Sequence, residues 1–240
     1  MEQLRQEPTP EQVTAFAIRL GRERLDPSRR NPDYLSLIER RKQIVEALRR
    51  IQGNRLRVLD IGGRIQPYRP LFNGRLETYV AVDPLKTGLV DVMGTGENLP
   101  FTSVSFDLVL CMQVLCYVEN PPKFIDEIYS VLRPGGTLLI SVPAILPHHE
   151  GNDRWRFLPD GLRLQLSRFS RVEVSPEGYS FLGACRIFAL FLDSCVENRI
   201  VRKVVDSAVI PLVNLAGERM NDRCGTNTSL TNNYFASAQK

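Results

Sequence analysis

The residues with the clearest chemical promise are an acid and two glycines, Asp60-Ile61-Gly62-Gly63-Arg64, followed about twenty residues later by a second acid, Asp83. Glycines directly after an apolar run let backbone approach a ligand closely. An acid on that run, Asp60, accepts hydrogen bonds from a cationic or hydroxylated ligand. Asp83 stands where an acid grips ribose hydroxyls in nucleotide-binding α/β units. Singly, Gly62-Gly63 reads equally as a plain turn and Asp83-Pro84 as a strand terminator; in register after consecutive strands they read as a nucleoside site. A dinucleotide fold asks for G-x-G-x-x-G, but Arg64 and Pro67 stand near the missing glycines, and the chain has no Gly-Lys-Ser/Thr. Nothing here is built to hold a pyrophosphate at a helix N-terminus.

Residues of this kind must be carried on strand ends, and the pattern supplies them. Residues 56–61, 78–83, 106–111 and 137–142 read as strands. Phe124, Ile125, Ile128, Val131 and Leu132 form a helical stripe between the last two, closed by Arg133-Pro134-Gly135-Gly136. Strands alternating with helices predict a mostly parallel sheet with helices on both faces. Ligands of such sheets sit beyond the carboxyl ends of the strands. Upstream, Thr9-Pro10-Glu11-Gln12 reads as a capping box with Pro at the first helical position, and Asn31-Pro32-Asp33 opens a second helix that Gly53 closes. Downstream come a polar loop (143–159), a short helix (160–169), a strand (171–174), two apolar-rich stretches (181–192 and 200–216) and a final edge strand (234–238). The domain reading is a helical segment at 1–54, a cofactor-binding core at 55–180, and apolar helices with a completing strand at 181–240.

Composition bounds the partners. The 240 residues are 43% hydrophobic and 24% charged, as expected of a globular chain, with a net charge of +4. Residues 1–57 hold thirteen basic and eight acidic side chains, so the basicity is local and a whole-protein nucleic-acid binder is not expected. Arg40, Arg41, Lys42, Arg49 and Arg50 read first as a solvated helical face, and alternatively as a surface for acidic lipid or RNA. Five scattered cysteines without a CxxC pair predict neither a structural zinc site nor a disulfide framework. The N-terminal residues lack the apolar stretch of a secretory signal, no apolar run reaches membrane-spanning length, and a cytoplasmic setting is the default expectation.

Five segments occur in order: Val58-Leu59-Asp60-Ile61-Gly62-Gly63, Val82-Asp83, Gly96-Glu97-Asn98-Leu99-Pro100-Phe101, Phe106-Asp107-Leu108-Val109 and Val131-Leu132-Arg133-Pro134-Gly135-Gly136. Together they resemble the class I S-adenosylmethionine-dependent methyltransferases, in the branch often called type 11, over about residues 56–175. The resemblance implies an α/β Rossmann-like fold: a seven-stranded, mostly parallel sheet with an antiparallel last strand and helices on both faces. It implies S-adenosylmethionine as cofactor. Asp60, Gly62 and Gly63 would surround its methionine part and Asp83 its ribose. Gly96 and Glu97 would lie beside the adenine, and Cys111 and Met112 would line the cofactor near the methyl group. Three positions depart from the family pattern: Arg64 replaces a further glycine, Thr95 or Gly96 the usual acid, and Tyr117 a frequent histidine.

The acceptor side falls to the loop 143–159. Pro147-His148-His149-Glu150 and Asp153-Arg154-Trp155-Arg156-Phe157 more loosely resemble methyltransferases of bacterial surface-polysaccharide biosynthesis. Methyl transfer needs in-line alignment above all. A sugar hydroxyl also needs a base, and histidine suits that near neutral pH. His148 or His149, with Asp153, is the catalytic candidate; the alternative is a loop in which these residues only hydrogen-bond one another. Trp155 would stack on a sugar or pin the loop. Arg154 and Arg156 would bind an acceptor anion or pair with Asp153 and Asp160. The stretches 181–192 and 200–216 would cover the core, form a homodimer contact, or meet the membrane face peripherally. The function expected is O-methylation of a sugar, glycolipid or other small hydroxylated acceptor. The alternatives are a cofactor-binding scaffold without catalysis, an RNA methyltransferase, and, least favoured, a nicotinamide-dependent reductase.

Overall fold

The computed structural model describes residues 8–148 and 151–240. Its centre is a seven-stranded sheet. The strands are β1 (Leu56–Ile61), β2 (Leu76–Asp83), β3 (Val92–Met93), β4 (Phe106–Met112), β5 (Leu132–Pro143), β6 (Arg171–Pro176) and β7 (Asn233–Gln239). Their spatial order is β3-β2-β1-β4-β5-β7-β6. The first five pair in parallel, and β7 runs antiparallel to both neighbours. The expected sheet is present, with one correction: β7 is not an edge strand but lies between β5 and β6. The two-residue β3, too short to show a period, had no signal in the sequence.

Alternation along the strands sorts the core into two layers. Leu59, Ile61, Val109, Cys111 and Ile140 face one side, where α3 (Pro121–Val131) and α4 (Pro159–Gln165) bury Phe124, Ile125, Ile128 and Leu162. Val58, Leu108, Leu110 and Leu139 face the other, covered by Ile44, Ala47 and Leu48 of α2 (Tyr34–Arg50). Each fully buried side chain of this size is worth roughly 1.5–3 kcal/mol. The segment after β1 does not continue into an α-helix. Gln66 takes a left-handed conformation (φ 41°) before Pro67, and only one tight turn forms at Arg69–Phe72.

α1 (Pro10–Leu25) begins with the expected capping box between Thr9 and Gln12. It lies across the loops that follow β1 and β2. A Cβ on Gly21 would stand 2.2 Å from Ile65 O, and Thr14 Oγ1 accepts the Gly88 amide at 2.9 Å. The C-terminal apolar stretches form α5 (Ser180–Cys195) and a helical rod made of α6 (Arg199–Val204), a wider π-type turn at 205–209, and α7 (Ile210–Met220). Gly183 lets α5 sit directly on the Leu230 carbonyl, where a Cβ would be 1.9 Å away.

Candidate active site

β1 and β2 deliver their acids to one place. Ile61 pairs with Val82, so Asp60 and Asp83 lie at adjacent strand ends. The Gly62 and Gly63 amides both donate to Val82 O, at 2.8 and 3.3 Å, which fastens the glycine turn to the end of β2. Those two amides are therefore not offered to a pyrophosphate. Gly62 is left-handed (φ 82°), and a Cβ there would meet Val114 at 2.5 Å. A Cβ on Gly63 would be 2.9 Å from both Asp60 Cγ and Ala81 Cβ. The two glycines thus permit close packing between three strand ends.

Both acids are buried, at 4% exposure for Asp60 and 6% for Asp83. Tyr79 donates its hydroxyl to Asp60 Oδ2 at 2.7 Å, and the Leu85 amide donates to Asp83 Oδ1 at 2.8 Å. Burial pushes Asp60 up to about 7, the Tyr79 hydrogen bond opposes the rise, and the charge of Asp83 adds to it. Burial also raises Asp83, against the Leu85 amide and the approach of Arg64. Neither carboxylate has an ion-pair partner among the described residues. Two buried acids, with Arg64 approaching Asp83 but no ion pair to either, form a site suited to positive charge and hydroxyl groups.

The remaining candidates separate. Gly96 lies against the Phe124 ring, where a Cβ would be 2.0 Å from a ring carbon. Glu97 Oε1 accepts the Asn120 amide at 2.7 Å and so joins the loop after β3 to the start of α3. The Cys111 side chain is wholly buried in the core layer with Ile61 and Val109, and burial pushes its thiol well above its usual value. Met112 is half-buried against the opposite layer.

At the acceptor side, His148 is exposed just beyond β5, and His149 and Glu150 lie outside the described residues. Asp153, 1% exposed at its side chain, holds Arg156 through both carboxylate oxygens. Arg154 pairs with Glu119 and donates to Tyr117 O. Trp155 donates Nε1 to Val118 O at 2.8 Å yet stays 40% exposed. The arginines of this loop are thus committed to its own architecture, and the loop is pinned over the ends of β4 and β5. Of the α2 cations, Arg40, Arg41, Lys42 and Arg50 all have acidic partners, which removes most of the charge an RNA surface would use.

The sequence reading missed a buried polar layer that joins α2 to β4, β5 and β7. Arg40 is not on a solvated face. It donates to Ser141 Oγ at 3.0 Å and pairs twice with Glu177 at 2.9 Å, with side-chain exposures of 5% and 0%. Burial works against its charge, but Glu177 and Tyr68 outweigh it and raise its pKa. Gln113, left-handed at φ 61° at the end of β4, binds Ser141 through its amide and its side chain, each at 2.8 Å. Asn233 completes the layer by donating to Glu177 Oε2 at 2.9 Å. A polar residue directly after the β4 pattern was the one available signal. Nothing in the spacing marks Arg40 as different from its neighbours.

Residues 59–140 match the family model of a methyltransferase domain. Over its whole length the chain is similar in structure to the 4+2-cyclase SpnF (TM-score 0.55, 17% identity, 97% of this chain and 96% of that one). It is also similar to an N-methyltransferase of Haemonchus contortus in complex with S-adenosylhomocysteine (TM-score 0.52, 17% identity, 83% of this chain and 52% of that one). The chain has the class I methyltransferase fold.

Within that fold, Asp60, Gly62, Gly63 and Asp83 lie together at the ends of β1 and β2, and the 151–157 loop stands over the ends of β4 and β5. Thiol S-methyltransferase TMT1B of Rattus norvegicus is 32% identical over 91 residues, which are 34% of this chain and 37% of that protein. The chain spans about half or less of the length of the first curated relatives it matches. The class I methyltransferase fold serves more than one chemistry, as the cyclase shows, so the reaction must be argued from the site.

Proposed function

We propose that this protein is an S-adenosylmethionine-dependent methyltransferase that O-methylates a small hydroxylated acceptor, a sugar or glycolipid. The observation that carries the reading is the pair of buried carboxylates, Asp60 and Asp83, with no ion pair among the described residues, beside a glycine turn. The match of 59–140 to a methyltransferase domain covers all four residues. Bound there, S-adenosylmethionine would supply a methyl group on a positively charged sulfur. Asp83 would accept hydrogen bonds from the ribose hydroxyls. Asp60 would lie toward the cationic methionine portion, whose charge would favour its ionised form. Gly62 and Gly63 let the strand ends that carry the two acids pack closely, Gly96 and Glu97 would shape the adenine side, and Met112 would line the methyl end. Transfer would need the acceptor oxygen held in line with the methyl carbon, and the loop pinned over the ends of β4 and β5 is the element placed to hold it. His148 or His149, oriented by the loop that Asp153 anchors, takes the acceptor proton. The hydroxyl preference rests on His148 and His149, a residue type suited to taking a hydroxyl proton.

Calorimetric titration tests the cofactor half. S-adenosylmethionine and S-adenosylhomocysteine should bind in the micromolar range, with NAD silent, and Asp83→Ala should weaken both by more than about tenfold. Unchanged affinity would remove Asp83 from the site. Turnover to S-adenosylhomocysteine with a glycan panel tests the acceptor half: tight binding without turnover favours the scaffold reading. If His148→Ala and His149→Ala both keep full turnover, neither is the base.

A further inference from the structure

The helices beyond the core carry a surface that the proposed chemistry does not use. Among the large apolar side chains left exposed are Ile200 (77%), Val201 (49%) and Val204 (55%) on α6, and Phe188 and Phe191 on α5. α6 buries none of its six residues. It is held at its root by Arg202, which donates to the carbonyls of Asp193 and Val196 and pairs with Asp193 and Asp206. That clamp consumes the nearest acids. Arg199 and Lys203, one helical turn apart beside Ile200 and Val204, are exposed and have no partner among the described residues. Glu197 is the one exposed acid left nearby.

We propose that this face docks on an anionic lipid bilayer, with Ile200, Val201 and Val204 entering the headgroup boundary and Arg199 and Lys203 meeting lipid phosphates. An apolar stripe flanked by unpaired cations is the pattern of an interfacial helix. No helix among the described residues is long and apolar enough to cross a membrane, so contact here means lying on the surface. A second copy of the chain is the poorer occupant. A two-fold contact through α6 would bring Arg199 and Lys203 of both copies together with one unpaired acid on each side to offset them. An anionic surface turns the same charges into attraction.

The test is co-sedimentation of the full chain with vesicles of equal parts phosphatidylglycerol and phosphatidylcholine, against pure phosphatidylcholine. The protein should sediment with the anionic vesicles, and added salt should release it. Ile200→Ser/Val204→Ser should reduce partitioning about tenfold or more, and Arg199→Gln/Lys203→Gln should lower it by about fivefold per cation. All four side chains are exposed, so unfolding temperatures should not move, and cofactor binding in solution should stay unchanged. The proposal is overturned if the protein ignores anionic vesicles or if the variants bind them like the parent chain. It is also overturned if sedimentation equilibrium shows a dimer that Ile200→Ser/Val204→Ser dissociates.

Discussion

Asp60 is the side chain whose surroundings most alter its chemistry. Its pKa of about 7 lies far above the ordinary 3.8, so the folded protein keeps a proton that the unfolded chain has already released. Stability of the cofactor-free protein should therefore fall as pH rises from about 4 to about 7, by at most roughly 4 kcal/mol, and then level off. Asp60→Asn should flatten that slope in denaturant titrations run at several pH values. At pH 6, S-adenosylmethionine binding should release protons, visible as different apparent enthalpies in buffers of different ionisation heat, and Asp60→Asn should abolish the difference. Gly96→Ala tests packing instead. Its methyl would press on the Phe124 ring, and the expected cost is about 1–3 kcal/mol of stability. The pair Asp60 and Asp83 was legible because strand ends can be counted along a sequence. The direction of a side chain is harder to read: Cys111, at the end of β4, shares the buried side of that strand with Val109. The hydroxyl of Tyr79 on Asp60 depends on register between β1 and β2, which no local pattern reports.

Elements were legible in proportion to their length and to the strength of their end signals. α1, α2 and α3 each start at a Thr, Asp or Asn followed by a run of helical period, and the six strands named from the sequence reappear with ends shifted by at most five residues. The segment after β1 forms no α-helix, because Pro67 and Pro70 oppose one. The layer that joins α2 to β4, β5 and β7 escaped because charged side chains on a helix are read as solvated unless a buried partner is known. That partner, Glu177, is distant in sequence. Arg40→Ala should leave Glu177 buried without its counter-charge and cost roughly 3–5 kcal/mol. Adding Glu177→Leu should restore part of the loss. If Arg40→Ala unfolds at the same urea concentration as the parent, the pair is not holding α2 to the sheet.

For the whole molecule, the order of strands differs from the order of the chain at one decisive place. β7 pairs with β5 over Thr137–Pro143 and with β6 over Arg171–Pro176, some sixty to a hundred residues earlier in the sequence. Such separations belong to the slow end of folding. Lys240 adds a further tie by donating to the carbonyls of Tyr129 and Leu132, so the final strand is clasped at both ends. This arrangement has a consequence for biosynthesis. A nascent chain that has emerged only as far as the 221–232 loop presents the β5 edge unpaired and has no neighbour at all for β6, while most of the apolar layers are already made. Exposed edges beside finished hydrophobic surface recruit other nascent chains. Translation pauses or truncations before residue 233 should therefore yield aggregates rather than a smaller soluble domain, and holding chaperones should associate with the ribosome-bound chain until the last strand has been threaded.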